Sequence, residues 1–127
     1  MSAIARNFMV LAVISAIVGM AWGIQMSASG DHALSPAHAH LNLLGWVSMA
    51  IFAFYYHLIP SAASGVLAKA HFGVAALGLL CVVPGIVMAL SDQGDTLAKL
   101  GSVLSLLSIV IFLIVVLRSS GSARSNS

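Results

Sequence analysis

The stretch LSPAHAHLNLLGWVSMAIFAFYYHL, residues 34–58, decides how the rest of the chain is read. It contains no Asp, Glu, Lys or Arg. As a helix it is long enough to cross a hydrocarbon core about 30 Å thick. Near its start two histidines, His38 and His40, stand one residue apart. An imidazole at membrane depth is expensive, so a pair of them marks a functional position rather than filler.

Working outward, three more apolar runs of spanning length appear, at about Phe8–Gln25, Val66–Leu90 and Leu97–Leu117. The segments between the runs, 26–33, 59–65 and 91–96, are rich in Ser, Gly, Asp and Pro, as expected where helices turn outside the bilayer. They are too short to hold a second domain. Across all 127 residues 61% are apolar and 6% charged, with mean hydropathy +1.09, whereas soluble domains run near 45–50% apolar and about 25% charged. The sequence therefore predicts an all-α integral membrane protein, with four transmembrane helices in an antiparallel bundle or arc. The single domain covers residues 1–118, and Ser119–Ser127 is expected to be a disordered tail. Five basic and three acidic side chains make no nucleic-acid surface. The lone Cys81, inside an apolar run, excludes an intrachain disulfide and a CxxC site and reads as core packing.

The basic residues give a direction. Arg6 precedes the first run, Lys69 opens the third, and Arg118 and Arg124 follow the fourth. Asp31, Asp92 and Asp95 fall on the opposite side, with Lys99 the one basic exception. Both termini are thus predicted to be cytoplasmic, with the second span running inward and the histidine pair toward the outer face. The first run, followed by Ser27-Ala28-Ser29, has some features of a cleavable signal. It is longer than the usual apolar region of a signal, however, and carries Ser15, Gly19 and Gly23 at four-residue spacing. Such a stripe suits close helix packing, so the segment is read as a retained membrane helix. Gly101, Ser105 and Ser108 make a similar stripe in the fourth run. The third carries Gly73, Gly78 and Gly85, with Pro84 expected to bend it.

At 100° per residue His38 and His40 point about 200° apart, so a regular helix cannot turn both onto one iron or one small metal ion. The His38 side continues through Asn42, Gly45, Met49, Phe52 and Tyr56, and the His40 side through Leu44, Val47, Ile51 and Phe54. An aliphatic and aromatic wall beneath an imidazole suits a flat apolar cofactor such as haem. A plainer alternative has both rings at the interface, bonded to water or lipid headgroups. Gly45 leaves room for a porphyrin or another helix, and the Trp46 N–H, deep in the span, is expected to find an internal partner. His32, with Asp31 beside it and His38 or His40, forms a candidate copper or zinc site. His71, a turn and a half into the third span, is a candidate proton or ligand site unless its ring reaches the headgroups. His57, following Tyr55 and Tyr56, reads as part of an interfacial aromatic anchor.

His-x-His followed by Gly45-Trp46 within a membrane span resembles the tenth helix of the catalytic subunit of haem-copper oxidases, most closely the cbb3-type enzymes. The resemblance covers roughly Ala37–Trp46. It implies that His38 and His40 ligate haem iron, that the haem is of b type, and that the pair lies toward the outer side of a bacterial inner membrane. It further implies a quinol or a cytochrome as redox partner. The family subunit has twelve helices in three arcs of four, so this chain is similar to a single arc. The family's copper-binding histidine pair and its His-Pro-Glu-Val-Tyr stretch are not matched, and a complete oxygen- or nitric-oxide-reducing centre is not expected. Joined to the helix geometry, the resemblance suggests a homotrimer rebuilding the ring, with His38 of one subunit facing His40 of its neighbour across a haem and Asn42 orienting one imidazole. The competing expectations are a membrane copper- or zinc-binding protein and a non-catalytic structural or assembly subunit.

Overall fold

The computed structural model describes residues 1–125, with side chains to Ser120. Four long helices dominate it: α1 (Ala3–Ser29), α2 (Ser35–Leu58), α3 (Val66–Leu90) and α4 (Thr96–Ser125). A single helical turn, Pro60–Ala63, joins α2 to α3. All four are long and apolar enough to cross a membrane, and no strand occurs among the described residues. The protein is an all-α, four-span membrane protein.

Caps set the ends of α1. Ser2 accepts the Ala5 N–H at its Oγ, 3.3 Å away, so α1 begins five residues before the apolar run. At its other end Gly30 adopts φ 71° and returns its N–H to the Met26 carbonyl, a left-handed stop that glycine makes without strain. Helix α3 is continuous across Pro84, which has no N–H to give the Leu80 carbonyl one turn back. Helix α4 continues through Ser125, past the point where a tail was expected to begin. Ser119 holds it there, since its buried hydroxyl bonds the Val115 carbonyl at 2.7 Å and meets the Tyr55 hydroxyl of α2. The part of that tail at Asn126 and Ser127 lies outside the described residues.

Within α2 the segment Leu41–Val47 is π-helical, directly after the two histidines. Its wider turn is closed at Leu43, whose carbonyl accepts both the backbone N–H and the Oγ of Ser48, the latter at 2.7 Å. Each residue in a π-turn advances less than 100°, so the faces below it shift. Leu43 is 60% exposed, while Leu44, expected on the His40 side, is half-buried. Val47, Ile51 and Phe54 stay outward as expected.

The helices pack in antiparallel pairs through small residues. On α1, a Cβ at Gly23 would lie 3.2 Å from His38 Nε2, a Cβ at Gly19 would strike Asn42, and Ser15 lies against Gly45. On the other pair, Gly85 lies against the Ala98 backbone, Gly101 against Val82, and Gly78 against Leu104 and Ser105. Both small-residue stripes expected from the sequence are therefore contact lines. In lipid, with no hydrophobic drive between helices, close backbone approach of this kind supplies the association.

The densest packing lies at the end of the bundle where α2 finishes and α3 starts. Phe8, Phe52, Tyr56, His71, Phe72 and Phe112 make an aromatic cluster with ring centroids 4.5 to 5.8 Å apart. The histidine pair sits toward the opposite end, about 24 Å along α2 from Tyr56.

Candidate functional site

His38 and His40 leave the first turns of α2 on different sides, as 200° of helix requires, and meet different surroundings. His38 is half-buried and turns toward α1, where Gly19 and Gly23, one turn apart, leave a groove for its ring. Its Nε2 lies 2.9 Å from the Gly19 carbonyl. A carbonyl oxygen only accepts, so Nε2 carries the proton and donates it. Asn42, one turn below, donates its Nδ2–H to the His38 carbonyl at 3.0 Å; the same Nδ2 lies 3.1 Å from Nε2, a contact that adds no hydrogen bond once Nε2 is the donor to Gly19. Trp22 of α1 stands edge-on to the imidazole, with centroids 6.1 Å apart.

His40 is exposed on the outer surface of the bundle. Its Nδ1 lies 2.7 Å from the Pro36 carbonyl, one turn back. By the same reasoning Nδ1 donates, and in the neutral ring Nε2 is left with a bare lone pair. A backbone carbonyl holding Nδ1–H is the arrangement that fixes tautomer and ring orientation in imidazoles that ligate metals. Exposed Leu43, Val47, Ile51 and Phe54 run down the same helix toward its other end.

The other expected residues fall in several places. Asn42 touches an imidazole, but at the nitrogen already bonded to Gly19. Gly45 is used for helix approach: a Cβ there would sit 2.5 Å from the Ser15 Oγ. Trp46 is corrected, since its side chain is 37% exposed and makes no internal hydrogen bond among the described residues. His32 sits on the exposed loop with its Nδ1 3.2 Å from the Gly30 carbonyl, and Asp31 spends an oxygen on the Ala33 N–H at 3.0 Å. Among the described residues no group of three or more His, Cys, Asp or Glu side chains could hold a metal ion.

His71 and Tyr56 form a second polar centre that the sequence only half disclosed. His71 is fully buried, so its ring does not reach the headgroups. Its Nδ1 lies 2.8 Å from the Tyr56 hydroxyl, and its Nε2 has no partner. Tyr56 is itself fully buried, so it is not part of the interfacial anchor expected around His57. The tyrosine O–H donating to Nδ1 leaves one polar group unsatisfied, and the reverse assignment leaves two, so the first is preferred. The partnership could have been found by depth: Phe8, Tyr56 and His71 each lie within two turns of helix ends that share one side of the bundle.

Compared with known proteins, the chain matches no family model, no curated protein and no solved structure. Its function is argued from its own residues.

Proposed function

We infer that this chain is a membrane-embedded b-type haem protein in which His40 ligates the iron, serving electron transfer or the binding of a small redox ligand. The observation that carries the reading is the exposed His40 ring, with Nδ1–H tied to the Pro36 carbonyl and Nε2 left free at the bundle surface. Leu43, Val47, Ile51 and Phe54 supply an apolar helix surface below it, of the kind a porphyrin face packs against. The resemblance of the His38–Trp46 segment to the oxidase helix supports the same cofactor.

Bound haem would supply a reversible one-electron couple, whose potential depends on axial ligation and burial. The residues of this chain do the rest. His40 donates its lone pair, the Pro36 carbonyl holds that ring in place, and the apolar wall keeps water from one side. Because the wall faces outward, a second copy would cover the cofactor's other side. Three copies around an axis would close a twelve-helix ring with one such interface per pair. In that ring the pair would lie toward the outer face, by the distribution of basic residues. His38 of a neighbour would reach the cofactor only with its ring turned out of the α1 groove. The metal alternative has less support, because Asp31 and His38 are both spent on hydrogen bonds within the chain.

The test is an absorbance spectrum, oxidised and dithionite-reduced, of protein purified in mild detergent from haem-replete cells. A Soret band, absent from His40→Ala, is expected. A featureless spectrum from folded wild-type protein overturns the reading.

A further inference from the structure

The two histidines of the pair are chemically alike and one residue apart, yet their hydrogen bonds are opposite. His38 meets a carbonyl with Nε2, at Gly19, while His40 meets one with Nδ1, at Pro36. A neutral imidazole has one N–H and one lone pair, and a carbonyl takes only the N–H. The rings are therefore held in opposite tautomers. At His38 the lone pair is left on Nδ1, the nitrogen nearer the backbone. At His40 it is left on Nε2, the nitrogen at the far edge of the ring.

The surroundings make this more than a choice of rotamer. The His38 ring occupies a slot that exists because two α1 residues one turn apart have no side chain. A Cβ at Gly23 would press on Nε2 at 3.2 Å, and one at Gly19 would collide with the Asn42 amide beside the ring. Asn42 in turn bonds the His38 carbonyl at 3.0 Å. The Gly19 carbonyl takes the Nε2 proton, Gly23 leaves room for the ring, and Asn42 holds the turn that carries it through the His38 carbonyl. Among the described residues nothing converges on Nε2 of His40.

We propose that His38 is a positioning residue, clamped into the Gly19–Gly23 groove to fix the opening turns of α2 against α1, and that His40 alone offers an imidazole ligand to the outside. Each chain then supplies one ligand rather than two. In the three-copy ring each His40 faces a different interface, so the chain supplies one imidazole per iron and leaves the other side open to a small diatomic ligand. The π-helical segment Leu41–Val47 begins directly after His40, so the clamp acts on the short α-helical turns carrying both rings. The division of tautomers stands on the protein alone, and only the ligand role of His40 rests on the haem reading.

The two parts separate experimentally. Nitrogen-15 NMR of haem-free protein, labelled at histidine and embedded in bilayers at a pH where both rings are neutral, reads each tautomer directly. His38 is expected to show a protonated Nε2 and His40 a protonated Nδ1. Gly23→Ala should shift the His38 signals by crowding Nε2. With haem added, His40→Ala should lose the Soret band. His38→Gln, whose side-chain amide can still donate toward Gly19, should keep it, and His38→Ala should bind haem roughly 10-fold or more weakly, as loss of an outer-shell contact does. The same tautomer at both rings, or loss of the band in His38→Gln as complete as in His40→Ala, overturns the proposal. A wild-type protein that takes up no haem sinks the cofactor reading and leaves the tautomers to decide this one.

Discussion

Tyr56→Phe removes one oxygen atom from the best-packed part of the molecule, and its cost follows from what that oxygen leaves behind. Tyr56 and His71 are both fully buried, and among the described residues their 2.8 Å hydrogen bond is the only one either side chain makes. In the native pair one polar group, Nε2, is already unsatisfied. Without the tyrosine hydroxyl, both imidazole nitrogens are buried without a partner. Stranding a buried acceptor costs about 1–3 kcal/mol, well above the ~1 kcal/mol net value of an ordinary hydrogen bond. His71→Leu, a change of similar volume, strands the tyrosine hydroxyl and should cost a comparable amount, plus lost contact with the rings of Phe8, Phe52 and Phe112. The double variant strands nothing, because replacing both partners by apolar groups can be nearly neutral. Its destabilisation should fall short of the sum of the singles by about 1–3 kcal/mol. Unfolding in mixed micelles of rising denaturing-detergent fraction, followed by circular dichroism, measures all four proteins. Strict additivity, or a Tyr56→Phe variant as stable as wild type, would refute the claim that this bond is dry and isolated.

The remaining predictions use the same comparison of space and partners. Gly85→Val places side-chain atoms where the Ala98 Cα already lies 2.7 Å from a Cβ position, so α3 and α4 must separate, at a cost of about 1–3 kcal/mol by overpacking. Gly73→Ala, where a Cβ meets nothing within 4 Å, should instead be neutral or stabilise by up to about 1 kcal/mol through helix propensity, in the same micelle titration. Tyr55→Phe removes the hydroxyl that Ser119 meets, and should raise amide hydrogen exchange in the last turns of α4 while leaving α3 unchanged.

Much of this architecture was legible because a bilayer imposes few solutions. Hydropathy located four spans, and α3 matched its apolar run at both ends. The Ser15, Gly19, Gly23 stripe announced a contact line, since small residues at helical spacing have few other uses in a membrane helix. What the stripe would receive was not legible. That Gly19 and Gly23 make room for Asn42 and His38 depends on the vertical register of two antiparallel helices, which the α1–α2 turn sets. The π-helical segment carries no composition signal, and within it Leu43 rather than Leu44 is exposed. The reach of α4 past Leu117 was hidden because Ser and Arg near a span end read as tail, and only the Ser119 contact with Tyr55 shows otherwise. The His71–Tyr56 pair joins residues of different helices across a loop, where periodicity within each helix says nothing about partners.

The proposed function requires the Nε2 of His40 to bind haem iron. The most direct measurement is a haem titration of apoprotein in nanodiscs, comparing wild type, His40→Gly, and His40→Gly with added imidazole. Saturable Soret growth is predicted in wild type, its loss in the glycine variant, and its return when free imidazole fills the vacated position. Equal haem binding by wild type and His40→Gly, or none by either, would contradict the central claim and leave a four-helix membrane protein whose exposed histidine serves another partner.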